Sequence, residues 1–288
     1  MHALPILPGD DSQNRGANGP VNTGVLTPRQ VRELKYYEDY YRLQVPSQYP
    51  PVDRQFLPER SNFNRPWMDS WVWLKMIYES RVRHPDVLEL ACGQGSMTVQ
   101  LASFCKKVTC IDLSPTAILR TLALCSHFGL RDRVNGYCMP CENIAFPSES
   151  FDVVVGRYIL HHVDVGACAR EVHRVLKTGG QAFFLEWIEW PPFDWFRTSR
   201  LVLHFFPREA SLERHITQDE RKLNQTDLHE IELAFGPVQT LRFHSLARVG
   251  KIISSLQIPA MKLDFKLFCI LPAFRRTGGS VIISCCKV

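Results

Sequence analysis

The 288-residue chain lacks any apolar run approaching the roughly 18 residues of a membrane-crossing helix, so no helical span is expected. It also lacks a basic start followed by an apolar stretch of signal-peptide length. Residues 1–27 are dominated by Gly, Asn, Asp, Pro and Ser without an apolar period, and are expected to form a flexible leader. Among ten cysteines there is one CxxC, Cys138 and Cys141, and no second pair at zinc-finger spacing; no metal site is expected from them. Cys92, Cys110, Cys285 and Cys286 lie in or beside apolar strand-like runs. They read as reduced, buried thiols, which fits a cytoplasmic compartment. Charge of one sign is not in excess: 34 Lys and Arg against 29 acidic residues leave +5, with 45% hydrophobic residues. That is ordinary globular material. No RNA-binding module and no visible aromatic stacking platform is present, so nucleic acid is not an expected partner.

What the chain does have is the run Val87 to Thr98. A short apolar strand carries Glu89 near its end and breaks at Ala91, Gly93 and Gly95 before a helix. Glycine lets the backbone turn tightly and approach a ligand, while the first N–H groups of the helix point outward. A second strand, Lys107–Ile111, ends at Asp112, with Leu113 behind it. An acid roughly 20 positions past such glycines is where nucleoside folds hold ribose hydroxyls. The dinucleotide fingerprint needs a third glycine, and Thr98 stands in its place, which argues against a nicotinamide-dependent oxidoreductase. Glu89 would repel a pyrophosphate but can pair with an amino group.

Three further segments follow in order: Met139–Pro147 after the third strand, Phe151–Val163 as a fourth strand and its turn, and Glu171–Trp187 as a helix, a Gly179-Gly180 turn and a fifth strand. With these motifs the chain to about residue 187 resembles the class I S-adenosylmethionine-dependent methyltransferases, in particular the small-molecule branch that includes the ubiquinone and menaquinone methyltransferases. The resemblance implies an α/β, Rossmann-like, seven-stranded, mostly parallel sheet with helical lid and cap insertions, and S-adenosyl-L-methionine as cofactor. It implies cofactor contacts at Glu89, Ala91, Gly93, Gly95, Asp112, Leu113, Cys141 and Glu142; Arg157 joins them by position. Many relatives read Gly-Asp-Ala-Glu in the adenine loop. Pro140 replaces that aspartate here, which leaves the Cys141 amide and Glu142 to meet the adenine.

Residues 28–84 are expected to form a helical N-terminal lid, opening at Thr27-Pro28 and including Trp67, Trp71 and Trp73. Residues 85–189 form the cofactor-binding core, with strands near 87–91, 108–112, 134–139, 151–156 and 181–187 alternating with helices. Residues 190–235 read as an inserted helical cap. Residues 236–288 supply the last two strands, the final one antiparallel by resemblance, around a basic, apolar insertion. From Leu241 to Gly279 there are seven Lys or Arg against one acidic residue. Peripheral membrane contact is one reading of this insertion; an amphipathic helix packed by its apolar side on the core is preferred.

Methyl transfer from a sulfonium mainly requires alignment and the exclusion of water. Where the acceptor must lose a proton, His161 is the expected base, with His162 beside it and Tyr158 orienting the acceptor. A small-molecule acceptor, anionic or lipid-like, is expected, with O-methylation ahead of C- or N-methylation. The alternatives are a lipid or terpenoid C- or N-methyltransferase, and a non-catalytic cofactor-binding regulator. An adenine-type Asn/Asp-Pro-Pro-aromatic turn is missing after the fourth strand, where Gly156-Arg157-Tyr158-Ile159 stands, and Pro140-Cys141 follows the wrong strand for cytosine chemistry.

Overall fold

The computed structural model describes residues 26–43, 64–80, 86–190, 220–247 and 254–288. Parallel strands β1 (Asp86–Leu90), β2 (Lys107–Asp112), β3 (Val134–Cys138), β4 (Phe151–Arg157) and β5 (Leu176–Trp187) are joined by β6 (Gln239–Phe243) and β7 (Ser280–Cys286) in one sheet of order β3-β2-β1-β4-β5-β7-β6. β7 runs against the other six strands, as expected. The strand order reverses between β1 and β4, and in open α/β sheets ligands bind at the carboxyl ends beside such a switch.

Both sheet faces are covered, which is why the strands read as continuous apolar runs. Successive residues alternate between the two layers: Leu88, Val154, Phe184 and Ile283 pack under helices α5 (Val165–Val175) and α6 (Gln225–Phe235). Val87, Val153, Val155, Phe183, Leu185 and Ile282 pack on the other side with α2 (Asp69–Tyr78), α3 (Ser96–Phe104) and α4 (Pro115–His127). The Gly-Gly turn expected before the fifth strand lies inside β5: pairing with β4 jumps from Phe151↔Leu176 to Val153↔Gln181, and Gly179 takes a φ of 78°. The intervening residues form a bulge.

Three expectations change. The N-terminal lid divides among the described residues, because α2 lays Trp73, Leu74 and Ile77 into the core against β5 and β7, while α1 (Pro28–Leu43) lies over the binding end of the sheet. Of the cap expected over 190–235, residues 191–219 lie outside the described residues, and Leu228, Ile231 and Phe235 of α6 pack into the core on α5. The basic insertion contains α7 (Gln257–Ile270), which buries only Asp264 and Phe268. Leu256, Ile258, Leu263, Ile270 and Leu271 face water instead of the core. All ten cysteines are free, and Cys286, expected to be buried, is exposed. No helix among the described residues is long and apolar enough to cross a membrane.

Candidate active site

The glycine loop is tied to the end of β2 through Asp112, whose carboxylate accepts from the Gly93 amide and the Ser114 amide, both at 2.9 Å. Burial pushes this carboxyl above its ordinary value, against the opposing effect of those amides. Gly95 (φ 82°) is the residue from which α3 starts; a Cβ there would fall 2.7 Å from Thr121 Cα, so only glycine fits. Ala91 and Tyr158, at the ends of β1 and β4, also hold left-handed backbones (φ 51° and 57°). Such strain in residues with side chains persists where the surroundings enforce it, commonly at ligand sites.

Helix α1 supplies the opposite wall. Thr27 and Gln30 form a reciprocal cap at its start, the Gln30 amide donating to Thr27 Oγ1 (3.3 Å) and the Thr27 amide to Gln30 Oε1 (2.8 Å). Polar contacts then bind the helix to the ends of three strands. Arg29 pairs with Glu142 and donates to the His162 carbonyl at 2.8 Å. Tyr37 Oη lies 3.3 Å from His162 Nε2. Glu38 accepts from the Ser114 hydroxyl at 2.5 Å and from the Thr116 hydroxyl at the start of α4.

Between these walls is a cavity of about 220 Å³. Ala91, Asp112, Leu113, Cys141, Glu142, Arg157 and Tyr158 line it, together with Gln30, Glu33, Tyr37 and Tyr41 of α1 and with His162. Gly93 and Gly95 shape the loop without lining the cavity. Glu142 is held by Arg29 and by the Gln30 side-chain amide (3.1 Å). Burial raises the Cys141 thiol far above its usual range and makes it inert. Arg157 places its guanidinium 5.3 Å from the Tyr158 ring, which itself stacks on Trp187 at 5.1 Å.

Two expected residues are placed elsewhere. Glu89 does not line the cavity: it is buried and accepts from the Thr98 hydroxyl at 2.6 Å. Burial pushes its carboxyl up to about 8, with Asp112 adding to the rise, while Thr98 and Arg157 oppose it. His161 stands behind the wall, with Nδ1 2.7 Å from Glu186 and Nε2 3.6 Å from Glu220. Burial lowers its pKa, but the two carboxylates prevail and bring it to about 9. An imidazole that keeps its proton at neutral pH is a poor base, and it is His162 that faces the cavity. Glu186, like the cavity-lining residues of α1, was not recognised in sequence: it also accepts from the Ile159 and Leu160 amides at 2.6 Å each and so fixes the turn after β4. The available signal was an acid closing an apolar strand, the pattern already noted at Glu89.

An acid-ended, glycine-looped parallel sheet with a cavity at its switch point is the arrangement of a nucleoside-binding α/β domain. Residues 88–184 match the family model described as a methyltransferase domain. An uncharacterized methyltransferase of Schizosaccharomyces pombe is 36% identical over 105 residues, covering 33% of this chain and 37% of that protein. The ubiquinone/menaquinone biosynthesis C-methyltransferase UbiE of Geotalea daltonii is 31% identical over 132 residues, covering 42% of this chain and 51% of that protein. The chain thus spans about a third to a half of the length of these curated relatives. In fold it is similar to geranyl diphosphate C-methyltransferase from Streptomyces coelicolor A3(2), with a TM-score of 0.58 at 18% identity over 91% of this chain and 98% of that one.

Proposed function

We propose that the protein is an S-adenosyl-L-methionine-dependent methyltransferase acting on a small molecule. The observation that carries this reading is Asp112, held by two backbone amides at the floor of the cavity with oxygen lone pairs left for ribose hydroxyls. Ala91 and the glycine loop take the amino acid end of the cofactor, and Leu113, Cys141 and Glu142 surround its adenine. The sulfonium brings its own leaving group, so the chain's task is to align an acceptor with the methyl carbon and keep water out. Helix α1 closes the cavity, and Tyr37, Arg157 and Tyr158 orient the acceptor. Arg157 gives this wall a cation suited to an anionic or otherwise electron-rich group.

Transfer to a hydroxyl oxygen is the finer reading, supported by the polar wall at Tyr37 and Glu33. Transfer to carbon is the second, favoured by relatives whose names specify C-methylation. Titration with S-adenosylhomocysteine tests the cofactor site: wild type binds, and Asp112→Ala weakens binding roughly tenfold or more, because a hydrogen bond to a charged group contributes about 1.5–3 kcal/mol. Equal affinity in the two proteins overturns the assignment. The linkage of the new methyl group in the isolated product decides between oxygen and carbon.

A further inference from the structure

In and behind the cavity wall, two imidazoles are enclosed by three carboxylates. Glu186 Oε2 lies 2.7 Å from His161 Nδ1, Glu220 Oε1 lies 3.6 Å from His161 Nε2, and Glu33 Oε2 lies 3.1 Å from His162 Nδ1. The two rings are 4.2 Å apart between centroids. One ligand atom each from His161, His162 and Glu220 falls within 4.8 Å of the others. All five side chains are at least 86% buried.

We propose that His161, His162 and Glu220 form a binding site for one first-row divalent cation of the zinc class. Glu186, 2.7 Å from Nδ1, holds the His161 ring with Nε2 turned towards Glu220, where a bound cation would displace the Nε2 proton. This carboxylate–histidine arrangement orients imidazoles that ligate metals. The 3.6 Å between His161 Nε2 and Glu220 Oε1 is long for a direct hydrogen bond. Metal bonds of about 2.0–2.2 Å to nitrogen and oxygen span that gap at an angle of about 110–130°, between tetrahedral and somewhat wider. Two imidazoles and one carboxylate leave a coordination position open, and His162 puts that position next to the cavity. There the cation would polarise an acceptor oxygen, a role that rests on the methyltransferase reading, whereas the binding itself does not.

The cysteine spacing gave no reason to expect a metal, and the site uses no thiol, which makes it testable with Co(II) as a spectroscopic probe. The full chain, freed of metal by chelation, is predicted to take up one Co(II) with visible bands of a nitrogen and oxygen site and no thiolate charge-transfer band. His161→Ala and Glu220→Gln are predicted each to abolish stoichiometric uptake while still binding S-adenosylhomocysteine, which shows that they are folded; Cys138→Ser keeps its Co(II). Absence of saturable uptake, uptake persisting in both variants, or a thiolate-dominated spectrum overturns the proposal. Loss of S-adenosylhomocysteine binding by wild type, with Co(II) uptake intact, would instead overturn the function and leave the metal site standing.

Discussion

Glu89 replaced by Gln is predicted to change how stability depends on pH. The carboxyl is sealed between the glycine loop and α3, and burial raises it from 4.5 to about 8. In the unfolded chain it ionises near 4.5, so over the window from 4.5 to about 8 the unfolded state gives up its proton first. Stability contributed by this group therefore falls as pH rises through that window and is unaffected below it. Each unit of difference corresponds to about 1.4 kcal/mol, and the cost to the folded state grows by about 3 kcal/mol between roughly pH 5 and pH 8. Gln keeps an oxygen to accept from Thr98 and has no proton to lose. Urea unfolding of wild type and variant across this range, compared as a difference at each pH, removes the contribution of the histidines. Glu89→Gln should gain about 3 kcal/mol on wild type from the acid to the alkaline end. Parallel profiles would refute the assignment of a buried, proton-bearing Glu89.

Glu186→Ala deprives the Ile159 and Leu160 amides and His161 of a shared acceptor, and should cost about 3–5 kcal/mol in urea unfolding; a loss under about 1 kcal/mol would mean that the turn after β4 holds itself. Gly95→Ala forces a side chain into a left-handed backbone against Thr121 and should cost at least about 1–3 kcal/mol, read from the same assay; wild-type stability would contradict the contact. At Asp69 burial raises the carboxyl, but His244, the Ser280 hydroxyl (2.5 Å) and the Ser70 amide outweigh it and bring it to about 2 from 3.8. That stabilisation is present above 3.8 and vanishes as pH falls through about 2. Acid unfolding should therefore show about 2 kcal/mol lost over this interval in wild type and not in Asp69→Asn.

Legibility in the sequence followed the locality of the signal. Strands β1, β2 and β4 and the glycine loop were readable because each is a short apolar run with an acid or a glycine at or near its end, a pattern set within a few residues. The antiparallel β7 was expected from resemblance. The role of α2 was not legible, because an aromatic-rich helix looks the same whether Trp73 faces a pocket or the sheet, and only the packing against β5 and β7 decides. For α7 the interleaved Lys and apolar residues imply two faces, yet Asp264 and Phe268 alone turn inward, with Asp264 accepting from the Leu246 and Ala247 amides. The histidine pair shows the limit most clearly. Adjacent residues in a short turn point to different sides, and Glu186 and Glu220, 25 or more positions away, determine which of them is withdrawn from the cavity.

The central claim is methyl transfer, and its most direct test is incubation of the full chain with deuteromethyl-S-adenosylmethionine and a host extract, separated into polar metabolites, lipids, protein and RNA. Label in a small-molecule or lipid fraction that disappears with Asp112→Ala is the predicted result. Label confined to protein or RNA, or no label despite cofactor binding, would contradict it.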